Sequence, residues 1–192
     1  MIAIHISRDS RVNARCEIDL PVPAHLFWPR MRDVEQFLTD DPLHAEVVFD
    51  TLPAPHQSFV GATVTIRHRL LGFGVDRVGR ILTWREGRGY AISDLSRRGV
   101  DHGFPHICAF DLAPRTENTC TLTVSARGKW TATWVPRPLI RLWLWWVLKA
   151  TEAQIAASIA SHIRLPTSHI RHPITSPPRS HAAPPPASPA AR

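Results

Sequence analysis

The stretch "PRPLIRLWLWWVLKA", residues 136–150, holds three of the chain's seven tryptophans, Trp143, Trp145 and Trp146. A bilayer-spanning helix needs about 20 consecutive apolar residues. Here Arg141 and Lys149 bracket only the run from Leu142 to Leu148, and the following "ATEAQIAASIASHI" is too polar for a bilayer centre. Two helical turns that are apolar nearly all round must still cover that surface. A sheet, a partner or a shallow membrane surface can do so. Pro136 and Pro138 cannot continue a strand but can open a helix. No proline or glycine follows until Pro166. Ile140, Leu144, Val147, Thr151, Ile155, Ile159 and Ile163 recur every three or four residues. That spacing predicts one apolar stripe along a helix from Pro136 to about Arg164.

Upstream, the period changes to two. "VNARCEIDL" places Val12, Ala14, Cys16, Ile18 and Leu20 on one face and polar residues on the other, a strand with one wet side. Two short helices follow, predicted at Ala24–Trp28 and Val34–Thr39, because Pro29 argues against one long helix. "AEVVFDTL", "GATVTIRHRLL", "DRVGRILTWRE", "GYAISDLSR", "HICAFDLAP" and "TCTLTVSARGKWTATW" read as strands in series. Gly87–Arg88–Gly89 makes a hairpin turn between two of them. Short turns favour antiparallel pairing. The fold class is therefore α+β: a curved antiparallel sheet of six to seven strands wrapped around a long C-terminal helix.

The 192-residue chain, with 44% hydrophobic residues, can bury a real core. Three divisions are expected: an N-terminal extension over 1–10, a folded domain over 11–164, and a basic Pro-rich tail over 165–192. The tail has few large apolar residues and is expected to be disordered. It carries Arg171, Arg179 and Arg192 with no acid, so much of the +7 charge is tail. The arginines elsewhere alternate along strands, as on a solvated face, and no reading motif appears, which argues against a nucleic-acid partner. The cysteines Cys16, Cys108 and Cys120 are widely spaced and read as buried free thiols, without a disulfide or zinc framework. The N-terminus lacks a secretory pattern, so a cytoplasmic location is expected.

This order of elements resembles the SRPBCC superfamily, the START-like or helix-grip domains that include polyketide cyclases and lipid-transfer domains. The resemblance rests on "VNARCEIDLPVPAHLFWPRMRDVEQF", on "FPHICAFDLAP…TCTLTV" and on the terminal helix, and spans roughly Val12 to Ile163. It implies a deep, mostly apolar cavity between sheet and helix that binds a hydrophobic small molecule: a lipid, isoprenoid or polyketide. It implies no cofactor. Many members are carriers only, so catalysis does not follow. A cyclase/dehydratase-type enzyme on the same fold is the alternative, as is contact with a protein or a membrane surface through the Trp-rich helix start, where Trp lies beside Arg137 and Arg141.

Polar residues on inward strand positions are candidate ligand contacts, since a buried polar group needs a partner. His68 falls on the apolar face of its strand, and His106 begins the inward series of its own. Asp94 shares a face with Tyr90 and Ile92. Arg80 shares one with Val78, Leu82 and Trp84. With Trp143 and Val147 from the helix, these form the expected ligand-binding set: His68, Arg80, Trp84, Asp94, His106, Trp143 and Val147. They could orient a carbonyl or a phenol, and a histidine there could move protons near neutral pH. "HGFPH", residues 102–106, carries two histidines four apart, but Gly103 and Pro105 oppose the helix that would aim both at a metal, so no metal site is expected.

Overall fold

A computed structural model describes residues 1–41, 43–50, 59–70, 73–96 and 103–163. The elements run β1 (Ile2–Ile6), β2 (Arg11–Leu20), α1 (Ala24–Arg32), α2 (Val34–Thr39), β3 (His44–Phe49), β4 (Thr63–Leu70), β5 (Phe73–Arg85), β6 (Gly89–Ser96), β7 (His106–Pro114), β8 (Cys120–Lys129) and α3 (Arg137–Ile163). The strands form one antiparallel sheet in the order β1-β2-β8-β7-β6-β5-β4-β3. This eight-stranded sheet with its C-terminal helix is the α+β architecture expected from sequence, with one strand beyond the upper expectation.

The extra strand is β1. Residues 2–6, set apart from sequence as an extension, pair in register with β2 from Ile2↔Cys16 to Ile6↔Val12. Ile2, Ile4 and Ile6 alternate with more exposed residues and pack against the core. An isoleucine every second residue is a strand signal, so the folded unit begins before residue 11. The tail over 165–192 lies outside the described residues.

The period-two pattern of β2 is reproduced residue for residue: Val12, Ala14, Cys16, Ile18 and Leu20 are buried. In β8, Cys120, Leu122, Val124 and Ala126 are buried in the same way. One expectation fails in detail. α1 does not stop at Trp28 but runs through Pro29 to Arg32. Proline costs a helix one N–H donor, yet its fixed φ remains helical. The break comes instead at Asp33, whose side chain accepts from Gln36 N and caps α2.

Core residues come from the concave face of the sheet, from α1 and α2, and from one face of α3 (Ile140, Leu144, Leu148, Ile155 and Ile159). α3 packs its backbone closely over β1 and β2 at one edge of the sheet. α1 and α2 cover the region of β7 and β3. Between them the helix stands away from the middle strands, and that separation creates the site. Among the described residues no helix is long and apolar enough to cross a membrane.

Candidate functional site

The gap between sheet and α3 is a cavity of about 750 Å³, within the roughly 300–1,000 Å³ common for small-molecule sites. Its walls are chiefly apolar: Ile66, Ile92, Phe110 and Val124 from the sheet face Leu144 and Val147 from the helix. Trp143 and Trp146 also line it from α3, and Trp143 packs edge-on against Trp130 at 5.6 Å. Cys108 lines the wall too, and burial pushes its thiol far up, so it acts as an apolar side chain.

The wall also carries polar groups, and on the middle strands these centre on Asp94. Asp94 and His106 are directly opposite in the β6–β7 ladder, so both project inward. From β4, His68 reaches across β5 to put Nε2 at 3.2 Å from Asp94 Oδ2. His68 Nε2 is buried and has no aligned hydrogen bond among the described residues, so this carboxylate oxygen is its polar neighbour. His106 Nε2 lies 3.8 Å from the same oxygen. Arg77 donates through Nε to Asp94 Oδ1, and through Nη2 to the carbonyls of Asp94 at 3.1 Å and Phe104 at 3.0 Å. The Arg77 and Asp94 side chains are 12% and 7% exposed, so this is a buried ion pair.

The electrostatics follow from that packing. Burial works to raise the Asp94 carboxyl, but the neighbouring His68, His106 and Arg77 outweigh it and hold the group at about 2. Burial pushes His106 below the usual histidine range, against the upward pull of Asp94. His44 is lowered for the same reason, opposed by Asp41. Its ring stands edge-on to His68 with centroids 4.7 Å apart. Asp41 accepts from Thr151 Oγ1 at 2.8 Å and from Leu43 N at 2.9 Å, which ties α3 to the α2–β3 corner.

Of the residues expected from sequence, His68, Asp94, His106, Trp143 and Val147 line the cavity together. Arg80 does not. Its side chain is exposed on the outer face, and a register shift between Ile81 and Thr83 explains the error. Counting back by twos from Trp84 places Arg80 inward. The extra residue of the bulge reverses that parity, so the inward set is Arg77, Gly79, Ile81 and Trp84. Trp84 therefore does face inward, but outside the cavity. It stacks on Tyr90 and Phe59 and donates Nε1 to Glu86 at 3.0 Å.

Sequence reasoning missed Arg77 for that reason, and His44 for a similar one. β3 has its own shift between His44 and Glu46, which brings His44 opposite His68. Neither bulge has a glycine to announce it. Of the "HGFPH" pair, His106 is placed in the cavity and His102 lies outside the described residues. Gly103 and Pro105 lead into β7 as an irregular segment.

No family sequence model and no curated protein sequence matches the chain. Solved structures do. A START superfamily protein from Mycobacterium smegmatis is 11% identical, covering 78% of this chain and 98% of its own, with a TM-score of 0.62. The Zhui aromatase/cyclase from Streptomyces sp. R1128 is 12% identical over 81% of this chain and 97% of its own, with a TM-score of 0.64. Ara h 8.0201 is 15% identical over 77% of this chain and 99% of its own, with a TM-score of 0.53. The fold is thus the START-like helix-grip fold that the sequence resembled.

Proposed function

We propose that this chain binds one hydrophobic small molecule, of lipid, isoprenoid or polyketide type, between the sheet and α3, with the polar end of the ligand at Asp94. The observation that carries this reading is the cavity itself: about 750 Å³, apolar over most of its wall, with the buried Asp94 cluster set into the sheet side and the Arg30–Asp40 pair also lining it. Apolar walls supply the driving force by removing ligand surface from water. A few convergent polar groups fix orientation. The structural neighbours include an aromatase/cyclase, and a bulky aromatic or polycyclic ligand suits a cavity walled by Phe37, Phe110 and Trp143.

The test is uptake of a neutral dye, N-phenyl-1-naphthylamine, by purified protein. Saturable binding of one dye per chain with blue-shifted emission is expected. Replacing Ala126, a cavity residue, by Trp should abolish it while the fold persists. No saturable uptake by the wild-type protein would refute the reading.

The catalytic alternative, a cyclase/dehydratase-type reaction, draws support from the contact of His68 and His106 with Asp94 inside the cavity. A neutral histidine there would serve as the proton acceptor. Substituting His106 should then abolish turnover of a polyketide-type substrate with ligand affinity mostly kept.

A second observation bears on how a water-insoluble ligand would arrive. Trp134, Leu139, Leu142, Trp145 and Trp146 are exposed, Trp134 by 84%. Arg137 and Arg141 lie among them, and α3 has no acidic residue before Glu152. Leu139 and Trp146 also line the cavity, so the patch adjoins the ligand space. Exposed tryptophan and leucine beside arginine suit an anionic membrane surface. Flotation with phosphatidylserine vesicles, lost on replacing Trp134, Trp145 and Trp146 by Ser, tests that contact.

A further inference from the structure

The two nitrogens of a neutral imidazole differ: one carries the proton and donates, the other accepts. His106 Nδ1 lies 2.8 Å from the Phe104 carbonyl oxygen. A carbonyl only accepts, so the proton sits on Nδ1. Nε2 is then a lone pair, and it lies 3.8 Å from Asp94 Oδ2, another acceptor. The ring is held against flipping by its stack on Phe104, with centroids 4.5 Å apart and planes 6° from parallel. His44 repeats the arrangement: its Nδ1 is 2.5 Å from the Leu38 carbonyl oxygen, which leaves Nε2 as an acceptor. Arg77, the cation of the cluster, is committed through Nε and Nη2 to Asp94 and to the Phe104 carbonyl.

The polar end of the cavity around Asp94 therefore presents the carboxylate, which His68 and Arg77 also approach, and the His106 Nε2 lone pair. We infer that it selects a ligand whose polar group is an uncharged hydrogen-bond donor, a hydroxyl or a phenol, over an ether, a ketone or a carboxylate. A hydroxyl hydrogen can be shared between His106 Nε2 and Asp94 Oδ2. An ether or ketone oxygen would meet lone pairs and lose its water without replacement. A carboxylate would add repulsion from Asp94, and an ammonium would pay the desolvation of a charge among apolar walls. This inference rests on the cavity being a ligand site, and it narrows the ligand to donor-bearing molecules.

Three probes of one size separate the cases: 1-naphthol, 1-methoxynaphthalene and 1-naphthoate, each titrated calorimetrically into the full chain at pH 7.5. Naphthol should bind at least about tenfold more tightly than the methyl ether, the ratio that one net hydrogen bond provides, and naphthoate more weakly than both. In His106→Phe the ratio should shrink to about threefold or less. Equal binding of naphthol and ether, or naphthoate as the tightest probe, overturns the inference and leaves the cavity reading standing. Failure of every probe to bind refutes the cavity reading instead. Should His106→Phe fail to fold, the wild-type ranking of the three probes still decides.

Discussion

Replacing Asp94 by Asn removes one charge from the buried Arg77–Asp94 pair and changes almost nothing in shape. A carboxyl held at about 2 instead of 3.8 contributes about 2.5 kcal/mol to the stability of the wild type at neutral pH, at about 1.4 kcal/mol per pH unit. The folded-state value is the lower one. The contribution is thus complete above about pH 4 and is lost as pH falls towards 2. Asn also leaves the Arg77 guanidinium, 12% exposed, without its counter-charge, and breaking a buried pair from one side costs about 3–5 kcal/mol. Urea denaturation at pH 7 should place Asp94→Asn about 3 kcal/mol below the wild type. That gap should narrow by about 2 kcal/mol between pH 4 and pH 2, because the wild type loses there what the variant never had. The double change Arg77→Met with Asp94→Leu should be less damaging than either single change, since no buried charge is left alone. Parallel stability curves for wild type and Asp94→Asn between pH 4 and 2, or strictly additive single changes, would refute the buried-pair account.

Other outcomes follow from particular contacts. Among the described residues the Tyr90 hydroxyl is buried without a hydrogen-bond partner, so Tyr90→Phe should be neutral or stabilising by up to about 1 kcal/mol in thermal melts. A Cβ at Gly128 would stand 2.2 Å from the Pro105 carbonyl oxygen and 2.6 Å from His106 Cβ. Gly128→Ala should therefore lower stability by about 2 kcal/mol or more and shift the His106 ring resonances in NMR spectra. Trp134→Ser should leave the urea midpoint nearly unchanged, within about 0.5 kcal/mol, because that side chain is 84% exposed.

The elements that carry clean periodicity were legible from sequence. α3 follows its three-and-four stripe from Ile140 to Ile159, and β2 and β8 follow strict alternation. His68, Asp94 and His106 were legible for the same reason: each is a polar residue at an apolar position on a strand without a bulge between it and its anchors. The failures sit at register shifts. One inserted residue after Ile81 sends Arg80 outward and Arg77 inward, and one before Glu46 brings His44 in. A bulge costs the ladder little and leaves no compositional mark when neither residue is glycine. The polar network around Asp94 joins β4, β5, β6 and β7, and only the sheet order brings those strands side by side. β1 was missed differently, because five residues of alternation are short, and their partner becomes visible only through pairing with β2.

A hydrophobic ligand is expected between the sheet and α3. Intermolecular NOEs from bound 1-naphthol to the methyl groups of this chain locate it directly. Contacts to Ile92, Val124 and Leu144, which line the space between sheet and α3, are the predicted result. Contacts confined to Ile4 and Leu142, in the outer groove between β1 and α3, would contradict it.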